Sequence, residues 1–260
     1  SNPCGEDNAM VNFENKRTET SLNAGTTDMS RFKFNFDNIS YVGTFPLSSD
    51  AVSSINFGFA FNRLKNFDRK ISTRGENMGS IASYIANKRA DGLSEGSLRN
   101  YEDDWLASAG FLGWLINQSG PNTWTNGLSS NPQSTSMYLK EKGRMDSYDF
   151  NFGFDISEIV GVGGSLSVTD THYNLYSEYD EFLGSQGGSD RGFLLKNYLT
   201  TEGAGIQGKL GVILKPINEF RIGIAYHSPT WYNMTDSYAF DLDHNLEGYL
   251  TDPSGYEKGY

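Results

Sequence analysis

A period of two that returns six times is the feature that most constrains this chain. In 31–45, Phe32, Phe34 and Phe36 alternate with Lys33, Asn35 and Asp37; a phase slip near Asn38 follows, then Ile39, Tyr41 and Phe45 resume the pattern. In 54–63, Ile55, Phe57, Phe59 and Phe61 alternate with Asn56, Gly58, Ala60 and Asn62. The same rhythm runs through 145–155 (Tyr148, Phe150, Phe152, Phe154), 159–172 (Val160, Val162, Leu166, Val168), 203–214 (Ile206, Leu210, Val212, Leu214) and 219–232 (Phe220, Ile222, Ile224, Tyr226). Successive side chains of an extended strand point to opposite faces, so each segment carries one apolar and one polar face. Residues 1–30 show no clear period and read as loop or weak strand.

The connections sort by length. Segments one and two are joined by 46–53, three and four by 156–158, and five and six by 215–218, with Pro216 fixing the turn. The connections 64–144, 173–202 and everything after about 233 are long. In an antiparallel meander this alternation puts the short turns at one end and the long loops at the other, as in outer-membrane barrels. A soluble β-sandwich alternates apolar and polar residues too, without reason to sort loops by end. The polar faces are rich in Gly, Ser, Asn and Ala, with isolated Asp, Lys209 and Arg221, rather than in the Lys and Glu of a solvated face. That suits an enclosed interior. The expected fold is therefore all-β, an antiparallel transmembrane β-barrel with about six strands visible. Residues 1–260 form a single barrel portion, and 64–144 is a long, partly helical extracellular insertion.

Composition removes other classes. The 21 Lys+Arg against 32 Asp+Glu leave a net charge of −11, against the basic face that nucleic acid requires, so no nucleic-acid partner is expected. One Cys among 260 residues makes neither an internal disulfide nor a thiolate zinc cage. No apolar run reaches the ~18 residues of a membrane helix, and no signal peptide opens the chain. Low mean hydropathy does not argue against a barrel, whose apolar band occupies alternate residues only.

Within 64–144, the sequence predicts a short helix near 80–90, with Ile81 and Ile85 on one side. A longer one is predicted over 97–117, where Leu98, Tyr101, Trp105, Leu112 and Ile116 recur at helical spacing. Ser97 reads as its N-cap and Gly120-Pro121 as its stop. Leu98, Tyr101, Trp105 and Leu112 are candidate ligand-binding residues as an apolar groove, although packing explains such a stripe more often. Lys209 and Arg221 are candidates to face each other on the polar side of the last hairpin and hold a carboxylate, or to neutralise Asp149 or Asp155; the second reading is preferred. No enzyme, metal or cofactor is expected. His227 and Ser228 are adjacent in a strand and point oppositely, so they make no nucleophile–base pair. Glu178, Asp180 and Glu181 are a weak cation candidate and His172 a weak metal ligand, solvated surface being the simpler account of both. Gly161, Gly163 and Gly164 read as a smooth interior wall rather than a phosphate loop.

The run from Gly203 through Lys209, Pro216, Arg221 and His227 to Tyr232, with 55–67 and 34–43, resembles the FadL/TodX family of outer-membrane transporters, in the branch often labelled hemin receptor. The resemblance covers about 31–70 and 145–240. It implies a fourteen-stranded barrel with an N-terminal hatch in the cell outer membrane of a Gram-negative bacterium, surrounded by outer-membrane lipid and lipopolysaccharide. It implies passive transport of small hydrophobic molecules such as long-chain fatty acids. No hatch is recognisable, and the chain reads as loop up to Tyr260, so it is read as an excised piece or one lacking its ends. Two rival functions stay open. One is a binding, adhesion or haem-receptor barrel, with Tyr101, His172 and Tyr176 as possible axial ligands. The other is a soluble β-sandwich that stacks glycans on Trp124 or Trp231.

Overall fold

The computed structural model describes residues 4–22, 25–49, 51–156, 159–217 and 220–251. The turn positions 157, 158, 218 and 219 and the closing residues read as loop lie outside them. The fold is all-β and built on one large antiparallel sheet. Its strands are β1 (Cys4–Leu22), β2 (Gly25–Pro46), β3 (Val52–Asn66), β4 (Arg69–Glu76), β7 (Ser134–Ile156), β8 (Val160–Gln186), β9 (Ser189–Ile217), β10 (Phe220–His227) and β11 (Trp231–Asn245). A separate small hairpin, β5 (Ile116–Gly120) and β6 (Thr123–Asn126), lies between β4 and β7. β3 and β4 follow one another along the same edge of β7, and β10 and β11 along the same edge of β9. The spatial order is thus β1, β2, β3/β4, β7, β8, β9, β10/β11, in sequence order throughout. Among the described residues, β1 and β10/β11 are the two edges.

The apolar residues that mark the six alternating segments all lie in strands, although the sixth segment is interrupted at 228–230 between β10 and β11. The phase slip near Asn38 is a register irregularity: Met10 pairs with Asn38 and Val11 with Phe36, so Asp37 is the extra residue and the aromatic side stays on one face. Three expectations change. Residues 4–22 form a full strand, although they carry little alternation. The connection 173–202 is not a loop: β8 and β9 stay paired from Val160–Leu214 to Gln186–Ser189 and are closed by a two-residue turn. Gly187 and Gly188 have φ of +63° and +82°, the left-handed pair that a tight hairpin turn needs. The segment after 233 likewise continues as β11. Long and short connections therefore do not alternate strictly. In these stretches the alternation changes sides: the outer positions turn polar (Asn174, Glu178, Asp180, Asp241, Asp243) and the apolar ones (Tyr173, Leu175, Tyr179, Phe193, Leu195, Phe240, Leu242) face inward under the cap.

The sheet is inside-out relative to a water-soluble protein. Ser147, Asp149, Ser167 and Thr169 are 4%, 8%, 3% and 4% exposed, whereas their neighbours Tyr148, Phe150 and Leu166 are 36%, 38% and 45% exposed. The small polar side chains line the sheltered face and the aromatic ones line the open face. The outward apolar face is continuous: Phe57 meets Phe152 at 5.1 Å, Phe59 meets Phe150 at 5.4 Å and Phe61 meets Tyr148 at 5.5 Å across β3 and β7. Among the described residues no second layer covers these rings.

The apolar core lies elsewhere, in the insertion between β4 and β7. Helix α1 (Ile81–Tyr84) continues into a π-helical turn at Ile85–Arg89, and α2 (Glu95–Arg99) and α3 (Trp105–Leu112) follow. The first agrees with the helix predicted near 80–90. The single helix over 97–117 is corrected to two short ones and the start of β5. Tyr101 stands at φ +56°, and the Asp104 side chain accepts from the amides of Leu106 and Ala107, so this acidic stretch serves as a cap rather than a helix interior. Ser94, not Ser97, caps α2. Gly120-Pro121 belongs to the β5–β6 hairpin. Ile85, Leu98, Ala107, Leu115, Trp124 and Leu128 pack with Leu183 of β8, Phe193 of β9 and Leu246 beyond β11. The ladder pairs Phe193 with Glu181 and with His244, on the face continuous with Ser167 and Thr169. The helical layer is therefore a cap over the far end of the sheltered face.

The Gly188→Val variant should destabilise the β8–β9 tip by about 1–2 kcal/mol, because a branched residue resists the left-handed conformation. Amide exchange along 180–195, compared between the two proteins, reads this directly.

Candidate functional site

The candidate site is the sheltered polar face of β3, β7, β8, β9 and β10, together with the cap above it. Beside the apolar band, charge on this face is held in two neutralised groups. Asp149 lies within 3.3 Å of Lys209 Nζ and accepts from Asn62 Nδ2 at 2.9 Å, from Ser147 Oγ at 3.2 Å and from the Ser167 hydroxyl. Asp155 lies within 3.3 Å of Lys215 Nζ and accepts from Ser54 Oγ at 2.7 Å and Asn56 Nδ2 at 3.1 Å. These pairs bridge strands that are not direct neighbours, since β8 stands between β7 and β9. Between them lies a recess of about 590 Å³ lined by Asn56, Asp155, Gly161, Gly163, Lys209 and Gly211, among others. The glycines of β8 and β9 keep this wall low, as expected of a smooth interior surface.

The expected facing of Lys209 and Arg221 does not occur. Lys209 pairs across the ladder with His227, and Arg221 lies six residues further along β10, roughly 20 Å away. Lys209 neutralises Asp149, the preferred reading, while the partner of Asp155 is Lys215, which sequence reasoning missed. The parity of 209, 211, 213 and 215 was the available signal. Arg221 is exposed at the irregular start of β10.

The four groove candidates separate as well. Leu98 is 0% exposed and belongs to the cap core. Tyr101 and Trp105 stack against Phe240 of β11, at 5.7 Å and 5.2 Å between ring centres. Leu112 is half-buried at the end of α3, where Gly113 lets the helix approach Leu242 closely. The surface that can meet a ligand is thus the Tyr101–Trp105–Phe240 cluster, in which Tyr101 is 49% exposed.

A buried carboxylate joins cap to sheet. Glu181 is 0% exposed; its Oε2 accepts from Ser80 Oγ at 2.6 Å, and its Oε1 from the Ile81 amide at 2.6 Å and the Tyr179 hydroxyl at 2.7 Å. Ser80 is in turn the N-cap of α1. Burial raises the Glu181 carboxyl above its ordinary value, outweighing the three donors, and Asp180 beside it adds to the rise. Burial also raises the Tyr179 phenol, so it remains a donor. The acidic run is not a cation site: the ladder turns Glu181 to the sheltered face and Glu178 and Asp180 to the outer one. Among the described residues no three His, Cys, Asp or Glu groups converge on a metal position.

Other candidates resolve by the same parity. His172 Nδ1 lies 2.9 Å from Glu202, on the outer face with Tyr176, whereas Tyr101 is on the inner side, so these three do not converge on a haem. The Ser228 hydroxyl accepts from the Gly208 amide and donates to the Pro229 carbonyl, away from His227. Trp124 is 5% exposed, with its indole nitrogen donating to the Leu93 carbonyl, and offers no stacking platform. Trp231 is 61% exposed on the outer face. Comparisons with family models, with curated proteins and with solved structures find no match.

Because the docked cap holds the Glu181 proton more tightly than the undocked one, docking is strongest below the ordinary value of 4.5 and weakens as pH rises through the raised one. Exchange of the Ile81 and Ala82 amides, corrected for intrinsic rates, should follow this trend and lose it in Glu181→Gln. Glu181→Leu removes the acceptor of two buried hydroxyls and should cost about 1–3 kcal/mol of cap stability.

Proposed function

We propose that this chain forms the wall and outer cap of an outer-membrane β-barrel that passes small hydrophobic molecules, such as long-chain fatty acids, without an energy source. The observation that carries the reading is the outward apolar band and its matched borders. On β7, β8 and β9 the band covers 148–156, 160–168 and 206–214. Its upper edge follows one ladder, Tyr148–Val168–Ile206, and its lower edge another, Ile156–Val160–Leu214. Nine extended residues span roughly 30 Å along the strand, enough to cross the ~25 Å apolar belt of an outer-membrane barrel. Directly above, the outward face becomes charged, beginning with Arg63, Asp146 and Asp170.

The resemblance of 31–70 and 145–240 to the FadL/TodX family supports the same reading. Hydrocarbon does not tolerate unpaired strand edges, so the proposal includes pairing partners for β1 and β10/β11 that complete the barrel. The cap would receive the ligand on Tyr101, Trp105 and Phe240, where burial of apolar surface contributes about 25 cal/mol per Å². The recess between the two Asp–Lys pairs then offers a passage whose charges are already neutralised.

The central test compares neighbouring positions. Phe150→Arg, facing outward at mid-band, should lower stability in lipid by about 2–4 kcal/mol, while Asn151→Arg, facing inward, should be tolerated. Equal effects in reversible unfolding from vesicles would sink the membrane reading. For transport, Tyr101→Ala with Trp105→Ala should slow uptake of a fluorescent fatty acid by about tenfold, equivalent to ~1.4 kcal/mol of lost contact. Uptake at the unchanged rate would remove these residues from the path.

A further inference from the structure

Charge on the outward face above the apolar band is unevenly divided. On β3, β4 and β7 it is mainly basic: Arg63, Lys70, Arg74, Lys140, Lys142 and Arg144 share that face with two carboxylates, Glu76 and Asp146. On β8 and β9 it is mainly acidic, with Asp170, Glu178, Asp180 and Glu202. In a chain of net charge −11 this is a local reversal of sign. Asp146, only 2% exposed, is shared between Arg63 at 2.8 Å and Arg144 at 3.0 Å, so one carboxylate serves two guanidinium groups. Lys70 stands directly across the ladder from Lys140, an arrangement that repels unless an anion lies between. Immediately above the band, Arg63, Lys142, Arg144, His172 and Asn174, with Asp68, line a recess of about 350 Å³ on this face.

We propose that this basic face binds the phosphate groups of a phosphorylated glycolipid in the outer leaflet, with its acyl chains lying on the Phe59–Phe150 and Phe61–Tyr148 stacks directly below. The inference rests on the membrane reading and deepens it by naming the lipid chemistry. Three features select this occupant. Arg63 and Arg144 sit immediately above the last aromatic pair, Phe61–Tyr148, and Lys142, Lys140 and Lys70 continue the same face upward. The phosphate charge matches the surplus that Asp146 leaves. The apolar face continues without a break beneath the recess, which a free anion would not use. Arg and Lys hold phosphate by charge-assisted hydrogen bonds, and several cations at one headgroup level add their effects. The acidic outer face of β8 and β9 repels the same headgroups, so the lipid is confined to one side of the wall.

The test uses the full chain in phosphatidylcholine vesicles doped with diphosphoryl lipid A or with its dephosphorylated form, followed by gentle detergent extraction and native mass spectrometry of the retained lipid. The protein should float with the vesicles and retain the diphosphoryl form in at least tenfold preference. Lys140→Gln with Lys142→Gln should reduce that preference by roughly tenfold while flotation is kept. Lys196→Gln, which removes one charge from the acidic side, should leave it unchanged. Equal retention of the two lipids, an unaffected double variant, or release by inorganic phosphate at the lipid's own concentration each overturns the lipid site and leaves the membrane reading standing. A chain that fails to float overturns both.

Discussion

The geometry of this molecule depends on the bracing of its sheltered face by ion pairs that skip a strand. Asp149 reaches Lys209, and Asp155 reaches Lys215, across the glycine- and serine-rich β8. Only a strand with small side chains lets two longer ones meet over it. Gly161, Gly163, Ser165 and Ser167 on β8 are therefore as much part of these pairs as the charged groups. Beside the apolar band the inner side is thereby polar and small, while the phenylalanines of β3 and β7 meet on the outer side.

Much of this was legible in the chain and some was not, for a physical reason. Period two located the six segments because each had one apolar and one small polar face. The slip at Asn38 was visible because Phe32–Phe36 and Ile39–Phe45 differ in phase. The same signal was overlooked at 173–202 and after 233, where the apolar residues move to the inner side beneath the cap and charged ones take the outer side. The tight turn at Gly187–Gly188 joins the two halves of that hairpin. Residues 4–22, read as loop or weak strand for want of a clear period, pair along their whole length with β2.

The candidate site was read less well. Helical spacing of Leu98, Tyr101, Trp105 and Leu112 suggested one surface, yet the acids at 102–104 break the helix and send Leu98 into the core. Lys209 was placed correctly opposite an aspartate, since parity alone fixes its face. Arg221 was not, because the hairpin register pairs Lys209 with His227 and leaves Arg221 six residues nearer the turn. Glu181 looked like part of a solvated acidic run. It is a buried joint, and only the partners brought by a separate insertion, Ser80 and Ile81, make it so.

The cap is fastened to side chains that share one face of an unbroken ladder, and this restricts how related chains can vary. Adding two residues to both β8 and β9 lifts the cap outward as a unit. Adding one turns Glu181, Leu183 and Phe193 to the opposite side and detaches it. Length variation in this hairpin is therefore quantised: even steps preserve the lid and odd steps abolish it unless a bulge restores the phase. The distance of the cap from the apolar band should change in increments of about 7 Å along the strand, and not continuously.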